Sequence, residues 1–456
     1  MRLRHRGRVF VNRSMTSQVE YLDRIETLSA DKLAQLQWRK LKTVISYAYQ
    51  NLPFYRRRFS DAGITPASIK SPADLARIPM VTKADIINET IAGADYRVGI
   101  EALFGRQPDN VVMTSGTQGF HTFAAIGGYE LSRGAIRAVQ REFWMQKMRP
   151  GMRVVALCPG WHFLSLLDCK AMGRLGVSCV LPWGTHIPRF TKSFLDAVRT
   201  LRPDYLLTMP PMLYAMLREC ERVQVDPRRV FASVRYVSAV GEPVTAGLRS
   251  RLREQLALED FFERGGSSDG LWGGGECSFH RGHHVFADYF YIEIVDPETG
   301  RQLPAGERGA VVVTNLTLGK SLYVRFNCED LGMILPGGCP CGRTHPRVEL
   351  FDRLSNVLIL DKRSITTYDI RCCLDEIPET CGIPFFVIKQ SDGRARIELY
   401  HPSPEASMDL DRVGRMLAER LEVQFPIQII RTMPARWKGR IIDERAQTAA
   451  ERYPRA

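Results

Sequence analysis

An alternation between residues 107 and 245 constrains this chain more than any other feature. Short β-rich runs at Val111–Met113, Val154–Leu157, Tyr205–Thr208 and Val234–Ala239 are separated by helical patterns such as 191–201 and 212–223. Strand, helix and strand in series predict βαβ units, hence a largely parallel sheet with ligand sites at the C-terminal ends of its strands. Upstream, Leu33, Leu36, Trp38, Leu41, Val44, Ile45 and Ala48 recur at helical spacing until Asn51-Leu52-Pro53 ends the helix. From residue 286 the pattern becomes period 2 on both sides of a Pro-Glu-Thr-Gly turn, which predicts a hairpin and a β subdomain at about 285–335. After Arg353 the expected order is a strand at Val357–Leu360, a helix at Thr367–Glu376, strands at Phe385–Lys389 and Arg396–Tyr400, a helix at Leu410–Leu421 and a strand at Gln428–Ile430. The expected fold class is therefore α/β, with a large N-terminal domain (21–353) of parallel sheet plus β subdomain and a small α+β domain (354–456).

A chain of 456 residues, 45% hydrophobic and 25% charged, is long enough for roughly two to four domains and is not a low-complexity or collagen-like polymer. Its formal charge of +13 favours phosphate-bearing partners. Arg2, Arg4, Arg6, Arg8 and Arg13 fall in the acid-free first 13 residues of a basic extension (1–20) that is open to disorder; without those five the charge is +8. An organelle address, a nucleic-acid arm or a start at Met15 all stay open for it. No run approaches the roughly 20 apolar residues of a membrane span, so a cytoplasmic location is expected. No recognition helix or RNP-like aromatic pattern is present, and no nucleic-acid partner is expected. The 11 cysteines are expected as thiols or metal ligands before disulfides, with Cys158, Cys169, Cys179 and Cys220 as core filler.

Directly after Val111–Met113 the chain reads Thr114-Ser115-Gly116-Thr117-Gln118-Gly119. Small hydroxylated residues and glycines at a strand end let backbone N–H groups and hydroxyls wrap an oligophosphate. A plain Ser/Gly turn is the alternative. A Walker A loop is excluded, because no Gly-Lys-Ser/Thr follows.

TSGTQG resembles the phosphate loop of the adenylate-forming superfamily of acyl-CoA synthetases, adenylation domains and luciferases, in its phenylacetate–CoA ligase-like branch. The segment from NLPFYRRRF (51–59) to ADI, SAVGEPVT (238–245), the DPETGRQLPAGERGAVVVTNL hairpin, RFNCEDLG (325–332), CPCGRTHPRVELFDR (339–353) and GRIIDER (439–445) resemble that branch in the same order. The resemblance implies a mobile C-terminal lid and an acid–thiol ligase that forms an acyl-adenylate from a carboxylic acid and MgATP, then a thioester with coenzyme A. It implies phosphate binding by Thr114, Ser115, Gly116, Thr117 and Gly119. Adenine would be flanked by Gly241, Glu242 and Pro243, and the ribose side served by Asp330 and Arg353.

The magnesium-assisting acid would be Asp269, where the branch's Y-G-x-x-E reads Gly265-Gly266-Ser267-Ser268-Asp269. The adenylation lysine would be Lys438, one residue out of register, with Arg440 as the alternative. The acyl pocket would be lined by Trp161, His162, Phe163, Tyr214, Gly265 and Gly266, whose aromatic content suggests an aryl acid. Cys277, His284, Cys339 and Cys341 would hold a structural Zn²⁺, with Cys328 a competing ligand and His283 the less favoured histidine. Fifty-five residues separate His284 from Cys339, so spacing alone is weak. Ser355 and Asn356 stand where the family has paired hinge aspartates, and Lys362-Arg363-Ser364-Ile365 replaces the segment that follows. A carrier protein, an amine or a reductase therefore stays open as acyl acceptor, as do a degenerate synthetase acting as a binding module and a homodimer.

Overall fold

A computed structural model describes residues 20–91, 101–103, 105, 110–113, 123–126, 134–156, 163–181, 191–267, 272–318, 322–360, 363–401, 408–432 and 441–443. The first strands in chain order are β1 (Asn110–Met113), β2 (Phe123–Ile126), β3 (Arg153–Ala156), β4 (Ser178–Val180), β5 (Tyr205–Thr208), β6 (Tyr236–Val240) and β7 (Asp260–Ser267). They are followed by β8 (Trp272–Gly275), β9 (His283–Val285), β10 (Phe290–Val295), β11 (Gly309–Asn315), β12 (Phe326–Ile334) and β13 (Arg347–Arg353).

Among the described residues, eleven strands form one sheet in the order β10-β11-β12-β13-β9-β8-β7-β6-β5-β3-β4. From β4 to β7 every pairing is parallel. Helices cover both faces of this half, and the strands divide their side chains between them by the period of 2. Val154, Ala156, Tyr205, Leu207, Tyr236 and Phe262 pack with Phe143 and Met172, from the helices Gly134–Met145 and Phe163–Leu175. The alternate residues Val155, Leu206, Val237, Ala239 and Phe261 pack with Val198, Met216 and Leu252, from Thr191–Leu201, Pro210–Arg222 and Ala246–Leu256. Burial on both faces is why these strands read as continuous apolar runs.

The sense changes at β7, whose partner β8 runs antiparallel, and every pairing from there to β10 is antiparallel. The hairpin of β10 and β11 thus extends the same sheet. The helix Ala30–Asn51 buries Leu41, Val44, Ile45 and Ala48 against it, in a core with Ile292, Val311, Val313 and Phe326.

The run Val111–Met113 departs from expectation. It does not join the parallel alternation but pairs antiparallel with β2, Asn110 opposite Ile126 and Met113 opposite Phe123. Residues 114–122 join the two, too short a connection for the crossover that a parallel pair needs.

Beyond Arg353, β14 (Val357–Leu360) and β15 (Arg363–Thr366) form a hairpin. The remaining strands, β16 (Phe385–Lys389), β17 (Ala395–Tyr400), β18 (Ile427–Ile430) and β19 (Ile441–Asp443), make a four-stranded sheet ordered β18-β17-β16-β19. The helices Thr367–Glu376 and Leu410–Leu421 bury Ile370, Leu374, Val413 and Leu417 against Phe385, Val387, Ile397 and Leu399, a separate core. Among the described residues no helix is long and apolar enough to cross a membrane.

Candidate active site and metal centre

Three neighbouring parallel strands, β5, β6 and β7, run out at one edge of the sheet. The chain leaving β6 is Gly241-Glu242-Pro243, and Thr245 then caps the helix Ala246–Leu256 by accepting the Leu248 N–H at 3.1 Å. The chain leaving β5 starts the helix Pro210–Arg222, which carries Tyr214. Gly265 and Gly266 lie near the end of β7.

Glu263, two residues before Gly265, ties these ends together. One carboxylate oxygen accepts the Val244 N–H at 3.0 Å, directly after Pro243. The other lies 3.5 Å from Nε2 of His283, a buried ring whose Nδ1 sits 3.2 Å from the Val348 carbonyl. Gly265 has to be glycine, because a Cβ there would lie 2.8 Å from the His283 ring. Burial alone would lower the His283 pKa, but the Glu263 carboxylate outweighs it and carries the pKa up to about 9. Glu263 was not among the residues singled out from sequence. Its one signal there is an acid in the otherwise buried start of β7.

Asp330 and Arg353 face each other across the β12–β13 pair. Arg353 Nε is 3.1 Å from Asp330 Oδ1, and its Nη1 donates to the Cys328 carbonyl at 3.0 Å. The structure thus joins the two residues expected on the ribose side. Tyr214 packs against the C-terminal core, its ring 3.7 Å from where a Cβ of Gly382 would stand. Thr114, Ser115, Gly116, Thr117, Gly119, Trp161, His162, Asp269, Lys438 and Arg440 lie outside the described residues, as does the side chain of Phe163.

The fold brings Cys277, His284, Cys339 and Cys341 together, with ligand atoms all within 4.8 Å of one another. Cys277 follows β8, His284 stands on β9, and the two later cysteines sit in the loop between β12 and β13. The Cys277 and Cys339 sulfurs are 3.6 Å apart, and Cys341 Sγ is 3.4 Å from His284 Nε2. A tetrahedral ion of zinc's bond lengths sets sulfur–sulfur and sulfur–nitrogen separations of about 3.8 and 3.5 Å, so the donor set fits zinc in chemistry and size. Cys328 is elsewhere, in the core beneath the helix Ala30–Asn51.

Residues 105–323 match the family model of the AMP-binding enzymes. The chain is 29% identical over 374 residues to a phenylacetate–coenzyme A ligase of Thermus thermophilus, covering 81% of this chain and 80% of that one. It is 28% identical to the phenylacetate–coenzyme A ligase of Escherichia coli K12, covering 89% and 85%. Among solved structures, a 2-hydroxyisobutyryl-CoA ligase in the postadenylation state, in complex with R3-HIB-AMP, superposes with a TM-score of 0.82 at 22% identity, covering 95% of this chain and 94% of that one. Residues 105–323 are thus similar to the AMP-binding enzymes, and phenylacetate–coenzyme A ligases are among the relatives of the chain.

Proposed function

We propose that this protein activates a carboxylic acid with ATP and passes the acyl group to coenzyme A. The carrying observation is that its similarity to phenylacetate–coenzyme A ligases runs over most of both chains. A carboxylate oxygen attacks the α-phosphorus, the bond to the β-phosphate oxygen breaks, and pyrophosphate leaves. The acyl-adenylate has a good leaving group that the free acid lacks. A thiolate sulfur then attacks the acyl carbon, AMP departs with the bonding electrons, and a thioester remains.

In this reading Thr114, Ser115, Gly116, Thr117 and Gly119 cradle the phosphates, Gly241–Pro243 flank adenine, and Asp330 takes the ribose hydroxyls with Arg353 beside it. Lys438 supplies positive charge to the α-phosphate as charge develops there. Asp269 would hold Mg²⁺, which supplies charge neutralisation on the phosphates when bound. Trp161, His162, Phe163, Tyr214, Gly265 and Gly266 line the acyl pocket, suited to a flat acid. Cys277, His284, Cys339 and Cys341 would hold Zn²⁺, which with four protein ligands would serve the fold and not the chemistry.

The hinge favours keeping a second acceptor in view. Asn356, standing where the family has an aspartate, donates to Asp352 at 2.7 Å. A carrier-protein thiol or an amine then takes the place of coenzyme A.

ATP–pyrophosphate exchange over a panel of aryl and aliphatic acids tests the first step, and acyl-CoA formation with and without coenzyme A tests the second. Exchange with at least one acid and thioester in proportion is expected. Exchange without thioester transfers the reading to the second acceptor, and no exchange with any acid overturns it.

A further inference from the structure

We propose that Glu263 and His283 are positioning residues for the nucleotide, a buried brace that holds the Gly241–Pro243 segment from behind. This rests on the reading that the segment flanks adenine. The Val244 N–H directly after Pro243 ends on the Glu263 carboxylate at 3.0 Å. A charged acceptor makes this a stronger tether than an ordinary backbone pair. Because β6 and β7 are parallel neighbours, with Ala239 opposite Glu263, the acid reaches the loop without leaving its strand.

His283 fixes the acid in turn. Its ring is buried, with Nδ1 on the Val348 carbonyl at 3.2 Å and Nε2 turned to Glu263 at 3.5 Å. The missing Cβ at Gly265 gives the ring its place. Successive side chains of a strand face opposite sides, so β9 aims His283 at the brace and His284 at the cysteine cluster. The brace works through the backbone of the loop. It acts by restricting where the adenine-flanking backbone can lie, so its loss is expected on the adenosine side of the ligand and not on the pyrophosphate side.

Calorimetric titration of the purified full-length protein with ATP, AMP and pyrophosphate separates these. Glu263→Leu is expected to weaken ATP and AMP about tenfold, the scale of a lost charged hydrogen bond, with pyrophosphate affinity unchanged. Glu263→Gln keeps an acceptor for Val244 and is expected to restore most of the affinity. His283→Phe, which keeps a ring over Gly265, is expected to weaken ATP and AMP about threefold.

Thermal unfolding identifies the folded variants, and if Glu263→Leu does not fold, His283→Phe decides. A folded Glu263→Leu or His283→Phe protein that binds AMP as tightly as wild type overturns the brace. So does an equal loss for all three ligands, which marks a general collapse of the site. A wild-type protein that binds neither ATP nor AMP overturns the functional reading itself, a result distinguishable from either.

Discussion

Arg264 lies inside the sheet between two carboxylates, with Nε on Glu142 at 3.0 Å, Nη1 on Asp168 at 2.7 Å and the Phe143 ring 4.9 Å from the guanidinium carbon. Burial pushes the Glu142 carboxyl above its usual range despite the arginine beside it. Replacing the cation strands both acids: Arg264→Met is expected to lower unfolding free energy by about 3–5 kcal/mol, read by urea denaturation. The loss depends on pH. A carboxyl whose folded pKa is raised adds stability below its unfolded value, near 4.5 for Glu142, and loses it as pH rises through the folded one. Without Arg264 that pKa rises further, so the deficit of the variant should grow as pH rises above the unfolded value. A deficit that shrinks over that range would contradict this account. Nothing in the sequence announced the triad, because its members lie 96 and 122 residues apart and follow no motif. Asp330 and Arg353 were legible only through segments resembling a family, and Glu263 was missed because a lone acid in a strand carries no pattern.

At the level of elements, the parallel half was legible because apolar runs such as Tyr205–Thr208, buried on both faces, alternate with helices. Val111–Met113 was misassigned for a physical reason: a short apolar run does not encode whether its partner is parallel or antiparallel, and the length of the following connection decided it. The cysteine cluster shows the same limit. Cys339-Pro340-Cys341 is visible locally, whereas its meeting with His284 depends on β13 returning beside β9, with Arg347 opposite His284. The cluster pins β9 to the β12–β13 loop, so it should contribute to stability and not to turnover. Purified protein is expected to hold close to one zinc per chain by elemental analysis. Chelation or Cys341→Ser should release it and lower the thermal midpoint by several degrees. A metal-free preparation with the wild-type midpoint would remove the ion from the fold.

The two bodies of the molecule meet at the start of the helix Ala246–Leu256, immediately after the segment proposed to flank adenine. Buried Thr245 donates to Asp375 at 2.7 Å, and the other Asp375 oxygen accepts the Gly382 N–H at 2.9 Å. Beside them a Cβ on Gly247 would lie 2.4 Å from the Asp375 carbonyl oxygen and 2.8 Å from its carbon, both backbone atoms that cannot turn aside. Gly247→Ala therefore sets two effects against each other. Alanine favours the helix itself by roughly 1 kcal/mol, yet the docked arrangement of the C-terminal body no longer fits. Docking should lose, because the clash is with main chain on both sides. If acid activation needs the lid closed over the site, pyrophosphate exchange should fall at least tenfold. Thioester formation from preformed acyl-adenylate, which bypasses the activation step, should fall much less. Small-angle scattering of the variant should show a larger radius of gyration. Unchanged scattering together with unchanged exchange would mean that the contact at Gly247 does not govern closure. An equal loss in both half-reactions would place the damage in the nucleotide segment instead of the lid.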